Sequence, residues 1–211
     1  MDGSRQSSRL GYTAVMQITS ESSRIVVRFV QSPARTGAIA ASSGTLSELI
    51  TEEANLRDRV NAVVEFGPGT GVFTRQILMK IRPGTTFFAL ELDPYFAAET
   101  RKNCPTAVVY EDCAINVRKY LAMHGVEQCD RIVSGLPWAT LKGDFQEQLL
   151  AETYDVLSPG GRFVTFAYLQ GLLLPSGQRF RKMLRRHFKS VSLTRVVWLN
   201  APPAFVYCAD K

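Results

Sequence analysis

VVEFGPGTGVFT, residues 63–74, is the stretch that decides the fold. Val63 to Phe66 form a short apolar run broken by one acid, Glu65, and read as a buried strand. Gly67, Gly69 and Gly71 then turn the chain into a helix. Glycine tolerates positive φ and lets a ligand approach the backbone closely. The spacing is G-x-G-x-G, not the G-x-G-x-x-G of dinucleotide-binding turns. An acid directly before the glycines suits a pyrophosphate poorly and a cationic ligand well. The amino and sulfonium groups of S-adenosylmethionine are such cations.

Outward from this turn, strands alternate with helices. TTFFALEL (85–92), AVVYED (107–112), DRIVSGL (130–136) and RFVTFAY (162–168) read as strands. FTRQILMKI, PYFAAETRKN, AINVRKYLAMHG and DFQEQLLAETYDVL read as the helices between them, with SPGG as a turn. A basic helix follows from about Gln178 to His187, then two strands, SVSLTRVVWL and AFVYCA, joined by NAPP. The alternation predicts one α/β domain over 61–211, a mostly parallel sheet covered on both faces, with a C-terminal antiparallel hairpin. Upstream, residues 1–20 are polar and expected to be flexible. Residues 21–60 are expected to hold N-terminal helices. One is amphipathic, from about Val15 to Val30, and one runs from Ser43 or Thr45 to Glu53.

The predicted strand ends collect polar groups on one sheet edge, where open α/β folds bind ligands. Glu91 lies 20 residues past Gly71, placed to accept ribose hydroxyls, with Leu92 beside it. Asp112 is placed for the exocyclic amine of adenine, with Cys113 flanking the ring. Ser134, Gly135 and Leu136 follow the next strand. With Glu65, Gly67, Gly69 and Gly71 these are the expected cofactor-binding residues.

The net charge of +6 is unevenly spread. Residues 1–40 hold five Arg against Asp2 and Glu21, and 175–195 hold seven basic residues and no acid. The middle is mildly acidic. That distribution predicts a polyanionic partner, a membrane surface or a nucleic acid. No apolar signal core precedes the domain and no run is long enough to span a bilayer. Cys104, Cys113, Cys129 and Cys208 are widely spaced, so no metal site is expected and reduced thiols are.

The glycine turn, the strand-end acids and LSPGGRFVTF resemble the class I S-adenosylmethionine-dependent methyltransferases over nearly the whole chain. TGAIAASSGTLSELI (36–50), VSGLPW (133–138), VTFAYLQ (164–170) and VVWLNAPPAFVY (196–207) resemble the bacterial phospholipid N-methyltransferases. The resemblance implies a single Rossmann-like domain with a seven-stranded sheet. It also implies methylation of the amine of phosphatidylethanolamine towards phosphatidylcholine, at the inner face of the membrane, by a cytoplasmic, peripherally associated enzyme. Tyr168, at the end of the fifth strand and expected to face SGLPW, is the candidate for orienting the amine or its proton, and Trp138 for holding a methylated ammonium by cation–π contact. Arg179, Arg181 and Arg185 are the candidates for headgroup phosphates. Trp138 stands in place of the aromatic of the N-P-P-Y motif of methyltransferases acting on bases or glutamine. The Asn or Asp of that motif is here Gly135, which disfavours a planar amino acceptor. The alternatives are an RNA adenine dimethylase, for which the motif predicts N-L-P-Y, a methyltransferase acting on ornithine lipid or a small molecule, and a non-enzymatic cofactor-binding module.

Overall fold

The computed structural model describes residues 37–211, with side chains from residue 44 onward. The helix expected at Val15–Val30 and the expected flexible first 20 residues lie outside the described residues. Helix α1 (Gly37–Glu53) leads into β1 (Ala62–Phe66), α2 (Val72–Lys80), β2 (Thr86–Glu91) and α3 (Pro94–Asn103). Then come β3 (Val109–Glu111), α4 (Val117–Met123), β4 (Cys129–Ser134), α5 (Gly143–Val156) and β5 (Leu157–Tyr168). Helix α6 (Pro175–His187), β6 (Ser190–Leu193) and β7 (Ala204–Asp210) end the chain.

The sheet order is β3-β2-β1-β4-β5-β7-β6. The first five strands are parallel, and β7 enters antiparallel to both β5 and β6. The expected last hairpin is thus present, with its second strand inserted inside the first. All five residues of β1 are buried, as a strand covered on both faces requires. One face carries Phe66, Phe88, Trp138, Phe163 and Phe205 in a single apolar cluster. The other carries Leu46 and Ile50 of α1 against Val63, Val164 and Val206.

Three boundaries differ from the sequence reading. Helix α1 starts at Gly37 rather than at a Ser or Thr cap. The Ser47 hydroxyl donates back to the Gly44 carbonyl at 2.8 Å, and that of Thr51 to Ser47 at 2.7 Å. Both residues lie inside the helix, where their hydroxyls bond the preceding turn. SPGG lies within β5, where the register against β4 shifts and Gly160 takes φ 76°. Strand β6 ends at Leu193, and beyond it Thr194 still bonds to Val206 and Val197 bridges back to Ala204.

Parallel pairing brings the ends of β1 to β5 to one edge. Phe66 lies opposite Leu90 and Ser134, Glu91 opposite Glu111, and Ser134 opposite Thr165.

Candidate active site

The glycine turn sits at the centre of that edge. The Gly67 amide donates to Leu90 O at 2.9 Å, fixing the turn to β2. The Thr100 hydroxyl of α3 donates to Gly69 O at 2.7 Å, and the Asn103 side chain to Thr70 O at 3.0 Å. Gly69 has φ 60°, a conformation costly for any other residue, and a Cβ there would meet nothing within 4 Å. The turn is therefore braced from behind and open in front. Gly135 is the reverse case. A Cβ on it would lie 2.5 Å from Gly67 O, so the ends of β1 and β4 touch backbone to backbone. A Cβ on Gly71 would lie 3.1 Å from Cys104 Sγ.

Two carboxylates lie under the turn. Glu65 is wholly buried; its Oε2 accepts from the Thr74 hydroxyl at 2.7 Å, and its Oε1 has no partner among the described residues. Burial, with a smaller contribution from the charge of Glu91, pushes its pKa up to about 8. Glu91 accepts from the amides of Gly69 and Asp93, each at 3.1 Å, and burial raises it as well, against those bonds. Leu92, half-buried, begins the turn into α3, whose start Asp93 caps by accepting from Tyr95 and Phe96.

Asp112 is differently placed. Its Oδ1 accepts from the Cys113 amide at 2.7 Å and from Asn116 Nδ2 at 2.8 Å. Its Oδ2 accepts from the Tyr120 hydroxyl at 2.8 Å and, at 3.5 Å, from Lys119 Nζ. Burial works against its charge, yet these donors together hold it below the usual aspartate range. The carboxylate expected to meet an adenine amine is already held by donors of its own chain. Half-buried Cys113 has its thiol raised chiefly by burial.

After β4, the Ser134 hydroxyl oxygen accepts from the Leu136 amide at 3.2 Å and from the Trp138 indole N–H at 2.9 Å. Ser134 and Trp138 are therefore spent on each other. Trp138 is 2% exposed, stacks on Phe180 at 5.3 Å and meets the edge of Phe163. The open aromatic face expected of it is absent; both sides are packed. Tyr168 ends β5 on the opposite face of the sheet, against Phe166. It does not face the SGLPW segment as expected, because β5 alternates and places Phe163 on the Trp138 side. Burial raises the Tyr168 hydroxyl, which makes no hydrogen bond among the described residues.

Helix α6 carries the basic charge. Its Phe180, Met183 and Leu184 are buried, Arg179, Lys182, Arg185 and Arg186 are exposed, and Arg181 is half-buried. Arg181 and Arg185, with Lys182, Gln178, Gly177 and Leu172, line a recess of about 250 Å³. Arg179 lies outside that lining, and Arg186 pairs with Glu147 of α5.

The family model described as a methyltransferase domain matches residues 64–165. Among curated proteins, an ornithine lipid N-methyltransferase from Singulisphaera acidiphila is 29% identical over 153 residues, covering 71% of this chain and 76% of that protein. Among solved structures, an N-methyltransferase from Bradyrhizobium japonicum WM9 superposes with a TM-score of 0.64 at 12% identity, over 79% of this chain and 94% of that one. An O-methyltransferase from Streptomyces achromogenes, in complex with S-adenosylmethionine, gives 0.62 at 15% identity, over 84% and 91%.

The chain is an S-adenosylmethionine-dependent methyltransferase.

The glycine turn of this methyltransferase fits that cofactor on its own evidence. Glu65, buried with one oxygen unpartnered among the described residues and its pKa pushed up to about 8, requires a cation or donors to ionise at neutral pH, and burial raises its neighbour Glu91 as well. The space in front of Gly69 leaves room for a ligand against the backbone. Sequence reasoning missed the groups that hold the methyltransferase's acids and turn in place: Thr74, Thr100, Asn116 and Tyr120. All are uncharged and sit in or beside helices, where only their register onto a neighbouring strand end gives them a role.

Proposed function

We propose that this methyltransferase methylates the primary amine of an aminolipid at an anionic membrane surface on the cytoplasmic side. Phosphatidylethanolamine is the first candidate acceptor and ornithine lipid the second. The observation that carries the reading is Gly135. Its contact with Gly67 O leaves no space for a side chain. The Asn or Asp that would hold a planar adenine or amide nitrogen is therefore sterically barred, and a flexible primary amine needs no such clamp. The similarity to an ornithine lipid N-methyltransferase supports the same class of acceptor.

When bound, S-adenosylmethionine supplies an electrophilic methyl on a sulfonium, which leaves as a neutral thioether. Glu65 and Glu91 balance positive charge and accept hydrogen bonds, and the Gly69 backbone gives the ligand a surface to lie against. The acceptor nitrogen must present its lone pair in line with that methyl, so positioning carries most of the work. Tyr168, at the end of β5, keeps its proton because burial raises its pKa. Its oxygen can accept an amine N–H and turn the lone pair towards the methyl. The surplus proton leaves to water at the open edge.

The test is to incubate the protein with labelled S-adenosylmethionine and either phosphatidylethanolamine, ornithine lipid, or RNA. Label in either lipid is the expected result. Label in RNA with none in any lipid would sink the proposal.

A further inference from the structure

Four large apolar side chains stand in solvent at the site edge: Leu173 at 82% exposure, Leu174 at 52%, Trp198 at 69% and Leu199 at 80%. They belong to two loops, one between β5 and α6, the other between β6 and β7. The loops are joined at their bases. The Leu169 amide donates to Pro203 O at 2.8 Å, and Tyr168 pairs with Ala204 across the strands. Both tips therefore project from the sheet edge at which Tyr168 lies. Exposed Leu and Trp cost solubility and are kept on a surface where something apolar covers them.

Directly beside Leu173 is the recess lined by Arg181, Lys182 and Arg185, with no acid in its lining. Arg181 Nε is buried there without a hydrogen-bond partner among the described residues. Among the described residues, none of these three cations makes an ion pair. A compact anion with several acceptor oxygens is what such a pocket lacks. Apolar tips next to unpaired cations match the two layers of a bilayer interface, acyl chains and phosphates. Trp suits the boundary between them. No helix among the described residues is long and apolar enough to cross a bilayer, so the contact is a surface one.

The geometry points to a membrane-docking face: Leu173, Leu174, Trp198 and Leu199 enter the outer acyl region of an anionic bilayer, and the α6 recess takes a lipid phosphate. This deepens the aminolipid reading and rests on it for the acceptor's identity. Docking on this edge brings the end of β5 to the headgroup layer, so the acceptor amine reaches Tyr168 without leaving the membrane. The recess then serves the bilayer's phosphates rather than the acceptor alone.

The test uses the full chain and vesicles of phosphatidylcholine with phosphatidylglycerol. Trp198 is the reporter, since Trp138 is buried. Brominated acyl chains are expected to quench Trp198 emission on vesicle binding. L173S/L174S should lower vesicle affinity by about tenfold or more. K182Q/R185Q should lower it and flatten its salt dependence. L173S/L174S should still methylate aminolipid dispersed in detergent, which separates lost docking from lost folding. Unquenched Trp198 in vesicle-bound protein, or wild-type vesicle affinity in L173S/L174S, overturns the docking face. So does wild-type protein that binds RNA through α6 and ignores vesicles. If no aminolipid is methylated in detergent but Trp198 is quenched, the docking face stands and the acceptor assignment falls. If methylation proceeds and Trp198 stays unquenched, the reverse holds.

Discussion

The Thr74 hydroxyl donates a 2.7 Å hydrogen bond to one oxygen of Glu65, and the other oxygen of that buried carboxyl has no partner among the described residues. One side of the acid is fixed by helix α2 beyond the glycine turn, and the other is open to a cation or donor. Replacing Glu65 by Gln keeps the shape and the bond to Thr74 while removing the ability to ionise. A bond from a cationic donor to a charged acceptor contributes about 1.5–3 kcal/mol. E65Q is therefore expected to bind S-adenosylmethionine roughly 10- to 100-fold more weakly, by calorimetry. Unchanged affinity would remove Glu65 from the cofactor site.

The same residue sets a pH dependence. Without cofactor, burial holds the Glu65 pKa near 8, above its ordinary 4.5. The folded state then binds a proton that the unfolded chain releases between those values. Its contribution to stability is full below pH 4.5 and is lost as pH rises through about 8. Cofactor binding has the opposite sign. A cation favours the carboxylate, so affinity should climb with pH up to about 8 and then level off. Denaturant melts of wild type and E65Q across this window should show the wild type losing up to about 1.4 kcal/mol per pH unit relative to the variant. Parallel curves would mean that Glu65 ionises as an ordinary carboxylate.

How much of this was legible in the sequence depends on the kind of residue. The backbone of the glycine turn and the burial of Glu65 and Glu91 were, because φ > 0 and buried charge each restrict the residue types that can serve. The layer order followed from buried strands alternating with helices. Trp138 was misread because its surroundings come from Phe180, on a helix forty residues on, and no local pattern reports that stacking. Tyr168 was placed on the right strand end and given the wrong facing. Side chains alternate along a strand, and only the register of β5 against β4 and β7 says which face a terminal residue takes. Thr74 and Asn116 carry no motif, so their roles emerge only when the helices are seated on the strand ends.

Gly135 tests the contact between β1 and β4. Gly135→Ala would put a methyl 2.5 Å from Gly67 O, and backbone cannot swing aside as a side chain can. Overpacking of this kind costs about 1–3 kcal/mol. G135A is expected to melt several degrees lower and to lose cofactor affinity as well, because the displaced atom belongs to the glycine turn. A melting point equal to wild type would show that the two strand ends can separate freely.

Asp112 and Tyr120 test whether the third acid is positioned or simply exposed. Tyr120→Phe removes the 2.8 Å bond to Oδ2 and leaves Lys119 at 3.5 Å as that oxygen's remaining donor. With less to hold its charge, the carboxyl should titrate higher than in wild type, as NMR of the Asp112 side chain can read. Stability should fall by about 0.5–1.5 kcal/mol, the usual net value of one hydrogen bond. An unmoved Asp112 titration would assign its low pKa to the Cys113, Asn116 and Lys119 bonds without Tyr120.

Tyr168 gives the most direct test of the proposed transfer. Its hydroxyl has no partner among the described residues, so Tyr168→Phe should leave the unfolding free energy within about 0.5 kcal/mol of wild type. If the oxygen orients the acceptor amine, kcat for aminolipid methylation should drop by about 10- to 100-fold while cofactor affinity stays constant. A loss confined to KM would mean that Tyr168 only binds the headgroup. Full activity would move the amine site elsewhere along the edge, away from β5.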